Sequence, residues 1–100
     1  MSELTSHDLA ELRASGQSLA VAFQVGKSGV SEGVVKELQA WLSREPLVKV
    51  KILAGAREDA DTKSLAEELA KLARVRLVEV RGHTALFYRL PRQKRGPDDF

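Results

Sequence analysis

The apolar residues of this chain change period along its length, recurring at every 3.6 residues in some stretches and at every 2 in others. Such switching is the mark of helices alternating with strands, and it selects an α/β domain before any motif is considered. The clearest strand is Leu47 to Ile52, where Val48, Val50 and Ile52 face away from Lys49 and Lys51. Ala20 to Val25, Val78 to Arg81 and Thr84 to Leu90 are read as three further strands. Between them, Val34, Leu38, Trp41 and Leu42 form one helical stripe, with Ser31 as its N-cap and Pro46 as its stop. Leu65, Leu69 and Leu72, interleaved with alanines, define a later helix. Thr5-x-x-Asp8 resembles a capping box and opens a short first helix with Leu9 and Leu12 on its apolar side, ended by Ser15-Gly16.

The predicted order is α-β-α-β-α-β-β. The connections through the second and third helices are long enough for parallel crossovers, which should be right-handed. The last two strands are antiparallel neighbours joined by Gly82-His83, since glycine suits the first central position of a type II′ turn. Clean alternation implies that helices cover one sheet face and leave the other to Lys49, Lys51, Glu79 and Arg81. Residues 1–91 are expected to form a single domain, and residues 92–100 a polar, mobile tail.

Composition removes several function classes. The 100 residues include no cysteine and two histidines far apart, His7 and His83, which excludes thiolate chemistry and makes a histidine metal site a poor fit. The N-terminus lacks the basic and apolar regions of a signal peptide, and no apolar run approaches a membrane span. A cytoplasmic, monomeric domain without cofactor, metal or small-molecule substrate is expected. The net charge of +2 hides an asymmetry: residues 71–95 carry eight basic residues against Glu79, whereas residues 1–70 carry eleven acids against eight bases. A polyanionic partner would explain such a segment, and so would a solvated face.

Gly26-Lys27-Ser28-Gly29 stands between a strand and a capped helix. Two glycines permit a tight turn and close approach, the helix N-terminus favours an anion, and Lys27 and Ser28 add a cation and a hydroxyl. A plain strand-to-helix turn would use the same residues, and the pattern alone leaves both readings open. It is no Walker A loop, because the glycine required five residues before Gly26 is replaced by Val21.

The segment Val25-Gly26-Lys27-Ser28-Gly29-Val30-Ser31-Glu32-Gly33-Val34 resembles the signature of the CRM domain, the YhbY-like family of RNA-binding modules linked to splicing and ribosome maturation. Leu47 to Lys51 resembles that family's second-strand motif, and Gly82 followed by Leu86-Phe87-Tyr88-Arg89 its closing hairpin. The resemblance spans roughly residues 4–91, although the lysine and proline frequent before the first strand are missing and His83 replaces a frequent basic residue. It implies a two-layer α/β sandwich with a mixed sheet in the order 1-2-4-3, similar to the C-terminal domain of translation initiation factor 3. It also implies that Gly26, Lys27, Ser28 and Gly29 contact RNA, with Lys49, Lys51 and Arg89 as matching basic positions. Arg81, Arg92, Lys94 and Arg95 add electrostatic support on their own account.

The remaining candidates have blander readings. Trp41 and Phe23 belong to the core, and of Phe87 and Tyr88, which point to opposite faces, the exposed one serves either base stacking, if it lies on the basic face, or edge-strand packing. In Asp59-Ala60-Asp61, one aspartate is expected to cap the third helix rather than hold magnesium. Gly33 either leaves the loop backbone open or serves a packing contact. The function expected is a non-catalytic RNA-binding protein acting on structured ribosomal RNA in large-subunit assembly. The alternative is a protein-interaction module docking a ribosomal protein or a second copy. No nucleophile, base and orienting group can be assembled for an enzyme, and the carboxylates Glu58, Asp59 and Asp61 are the sole alternative set.

Overall fold

A computed structural model of the chain describes residues 6–57 and 60–89. The elements are α1 (Ser6–Gln17), β1 (Val21–Val25), α2 (Glu32–Arg44), β2 (Leu47–Ile52), a 3-10 turn (Ala54–Arg57), α3 (Thr62–Ala73), β3 (Arg76–Arg81) and β4 (Thr84–Tyr88). They follow the predicted order, with the 3-10 turn as an addition between β2 and α3. The four strands form one mixed sheet in the order β1-β2-β4-β3, with β1 and β2 parallel and β4 antiparallel to both β2 and β3.

Local chemistry sets the element ends. Ser31, extended at φ −107°, accepts a hydrogen bond from the Val34 amide at 3.3 Å and starts α2. Asp61 does the same for α3, accepting from the Ser64 amide at 2.8 Å. At the end of α3 the chain turns through Arg74, which takes the left-handed conformation (φ 61°) more often left to glycine. In the β3–β4 turn Gly82 has φ +59° while His83 does not have positive φ, which fits type II′ and excludes type I′.

The main core lies between one sheet face and the pair α2 and α3. Val25, Val48, Val50, Ile52, Ala85 and Phe87 meet Leu38 and Leu42 of α2 and Leu65, Ala66 and Leu69 of α3. Fully burying such aliphatic and aromatic side chains is worth roughly 1.5–3 kcal/mol each, so this face carries most of the fold's stability. Leu72, predicted to face inward, is half exposed. The alanines Ala66, Ala70 and Ala73 are buried in its stead.

The other face is not left open. Register places Lys49, Leu86 and Glu79 side by side across β2, β4 and β3 on this face. Here α1 lies over them: Gly16, in the last turn of the helix, packs so tightly on Leu86 that a Cβ would overlap the leucine's methyl groups. Leu86 is buried yet belongs to no part of the α2–α3 core, so its cover comes from α1. Arg13 of α1 adds an ion pair to Glu79 at 3.6 Å.

Candidate nucleic-acid interface

The parallel relation of β1, β2 and β3 gathers the segments that follow them at one end of the sheet. These segments are the Gly26–Gly29 loop, the 3-10 turn and the Gly82-His83 turn. They are tied together through the end of β2. The Leu53 amide donates to the Val25 carbonyl at 2.9 Å, and the Ile52 amide to the His83 carbonyl at 2.7 Å. His83 Nδ1 lies 3.3 Å from Thr62 Oγ1 at the start of α3, and Arg57 Nε donates to the Ile52 carbonyl at 3.3 Å.

Within the loop, the Gly29 amide donates to the Gly26 carbonyl at 2.8 Å, closing a four-residue turn with Lys27 and Ser28 exposed at its tip. Gly29 has φ +67°, a conformation that a side chain would strain. Gly26 and Gly33 have no such requirement. A Cβ on Gly26 would meet nothing within 4 Å, and one on Gly33 only Ser31 Oγ at 3.8 Å. Packing therefore does not account for Gly33, and the backbone is left without side-chain cover at Gly26 and in the first turn of α2.

Lys51 and Arg81 are exposed on the sheet face that carries α1, whereas Lys49 is half-buried at the end of that helix. Arg81 Nε stands 3.3 Å from Glu79, which thus holds two arginines, Arg13 and Arg81. Arg89 is elsewhere. It follows β4 at the opposite end of the sheet, where its Nη1 donates to the carbonyls of Leu42 at 3.1 Å and Ser43 at 3.5 Å. The structure therefore does not bring Arg89 together with the loop, and it gives that guanidinium the last turn of α2 to hold. Arg92, Lys94 and Arg95 lie outside the described residues, as does the proposed tail.

Phe87 is fully buried, and Tyr88 is half-buried beside Leu12 and Ser15 of α1. Trp41 packs against the core under Arg44, whose guanidinium carbon is 5.2 Å from the ring centroid. Asp61 is occupied as a helix cap, and the Ser64 amide bonded to it holds its carboxyl below the usual value. Among the described residues no group of three His, Cys, Asp or Glu side chains is placed to hold a metal ion. No helix there is long and apolar enough to cross a membrane. Arg57 and Gly55 also join the loop end; for Gly55 the sequence carries no signal, because its neighbour Lys27 is distant in the chain.

A small α/β domain with a glycine-flanked basic turn at a helix N-terminus is the class these features define. The model of the CRS1 / YhbY (CRM) domain matches residues 4–89, and the chain belongs to this family. It is 35% identical over 86 residues to Probable RNA-binding protein YqeI of Bacillus subtilis, covering 86% of this chain and 88% of that protein. It is 34% identical over 86 residues to Probable RNA-binding protein PA4753 of Pseudomonas aeruginosa, covering 86% and 81%. The solution structure of the hypothetical protein SAV1595 from Staphylococcus aureus superimposes with a TM-score of 0.74 at 30% identity, covering 94% of this chain and 96% of that one.

Proposed function

We propose that this protein is a non-catalytic RNA-binding domain that acts as a cytoplasmic monomer on structured ribosomal RNA during large-subunit assembly. Membership of the CRM family and the names of its relatives support the RNA part of this reading. The observation that carries it to particular residues is the Gly26–Gly29 turn, with exposed Lys27 and Ser28 flanked by glycines that packing does not require. A phosphate at the tip would meet a cation, a hydroxyl and the positive end of α2 together. Lys51, Arg57 and Arg81 extend the positive surface from this end, with Lys49 behind them. Such contacts position an RNA backbone and do not by themselves read sequence.

The protein-interaction reading has less to stand on. Among the described residues the exposed large hydrophobics are Val21 and Leu72, 39% and 50% exposed, which together offer little apolar surface for docking. Crosslinking in the source cells, followed by sequencing of bound RNA, tests the proposal. Wild type should recover large-subunit ribosomal RNA, and a folded Lys27→Asp/Ser28→Asp double variant should lose it. Recovery of scattered RNA regardless of the variant would reduce the surface to nonspecific electrostatics. Partners that survive nuclease treatment, with no RNA recovered, would favour protein docking instead.

A further inference from the structure

One row of side chains crosses the whole sheet just before the loop end. Register aligns Gln24 of β1 with Lys51 of β2, Lys51 with Thr84 of β4, and Thr84 with Arg81 of β3. Paired residues share a face, and this row is on the face that carries α1. It lies one row beyond Lys49, Leu86 and Glu79, where α1 ends, so Gln24, Lys51 and Arg81 are exposed and Thr84 is half exposed.

Thr84 sits in this row between two cations, and its hydrogen-bonding state is defined. Its single hydroxyl proton is donated to the Arg81 carbonyl at 2.8 Å. What Thr84 Oγ1 has left to offer is lone pairs, so towards a ligand it is an acceptor. Lys51 and Arg81 are donors only. Adjacent strands are about 4.8 Å apart, so the Thr84 acceptor stands on a strand flanked on both sides by strands that present a donor. Phosphate oxygens are acceptors and match the two cations. The one donor on an RNA backbone is the ribose 2′-hydroxyl, which DNA lacks.

We propose that Thr84 accepts a hydrogen bond from a ribose 2′-hydroxyl between phosphates held by Lys51 and Arg81, and so favours RNA. This rests on the RNA-binding reading above. A base amino group could also donate to Thr84, but it would be present whatever the sugar.

The test measures anisotropy of a labelled stem-loop RNA and of its 2′-fluoro version, which keeps A-form geometry but has no 2′ donor. Wild type should bind the 2′-hydroxyl form more tightly. Thr84→Val, which keeps the β-branched shape, should weaken that form by about 2- to 10-fold and leave the 2′-fluoro form unchanged. Thr84→Ser should restore the difference, and Lys51→Ala should weaken both forms together. A Thr84→Val protein that melts like wild type and keeps the preference, or that loses both ligands equally, overturns the role of Thr84 while leaving RNA binding intact. Failure of the wild type to bind either stem-loop overturns the RNA reading itself, and this inference with it.

Discussion

Gly55 lies against the backbone of Lys27: a Cβ on Gly55 would stand 3.6 Å from both the Lys27 amide nitrogen and its Cα. The 3-10 turn after β2 therefore backs the tip of the Gly26–Gly29 loop. At 3.6 Å an added methyl is in ordinary contact, so Gly55→Ala should preserve both stability and RNA affinity. Gly55→Val carries two further carbons towards Lys27 and should push the tip away, lowering RNA affinity more than it shifts the thermal midpoint. Parallel melting and binding curves check this. Equal affinity for the Val and Ala variants would show that the position of the tip does not matter to binding.

The three glycines around Lys27 and the start of α2 should separate into two behaviours. Gly29→Ala places a side chain at φ +67° and should cost about 1–2 kcal/mol of stability. Gly33→Ala removes a glycine from the first turn of a helix and should gain up to about 1 kcal/mol. Gly26→Ala meets open space and should gain about 0.4–1 kcal/mol. If their bare backbone admits an RNA strand, the Gly26 and Gly33 variants should bind RNA more weakly although they are more stable. Urea midpoints beside binding constants decide it; greater stability with unchanged affinity removes the close-approach role.

Asp61 links stability to acid pH. The bond from the Ser64 amide favours the ionised carboxylate and lowers its pKa below the usual 3.8 in the folded state. Its stabilising contribution is then complete above the unfolded-state value and is lost as pH falls through the folded one. Asp61→Asn keeps an oxygen acceptor for the cap without the titrating charge. Its urea midpoint should therefore drop less than that of wild type between about pH 6 and pH 3. Identical drops would assign the acid sensitivity to other carboxylates.

Much of this architecture is legible in the sequence because its determinants are local. The alternation of Leu47–Ile52, the cap at Ser31 and the turn at Gly82-His83 each act within a few residues. What escaped has non-local causes. The docking of α1 depends on Gly16 meeting Leu86, 70 positions away, and glycine at such a contact leaves no hydropathic signal. Gly16 therefore reads as a helix stop, which it is within one residue, and not as a packing contact. In α3 the leucine spacing predicts an inward stripe through Leu72, but the face buried against the sheet runs through Ala66, Ala70 and Ala73 instead. At the candidate site, the loop was visible as a motif, whereas its backing by Gly55 and the polar row through Thr84 depend on strand order and register.

Arg89 shows how a motif position and a structural task compete for one side chain. Its Nη1 bonds the Leu42 and Ser43 carbonyls, at the negative end of the α2 dipole and away from the loop. Arg89→Ala should cost about 1 kcal/mol of stability, because water replaces part of what the guanidinium supplies at this exposed end. Arg89→Lys should recover some of that loss, keeping the charge near the carbonyls without the planar fork. Lys27→Ala should behave oppositely, with its melting unchanged. Its binding should weaken with a salt slope smaller by about one. Measuring urea midpoints and the salt dependence of RNA binding for both alanine variants separates the roles. If Arg89→Ala lowers the salt slope as Lys27→Ala does, without moving the midpoint, the RNA must reach that far end of the sheet, and Arg89 belongs to the binding surface after all.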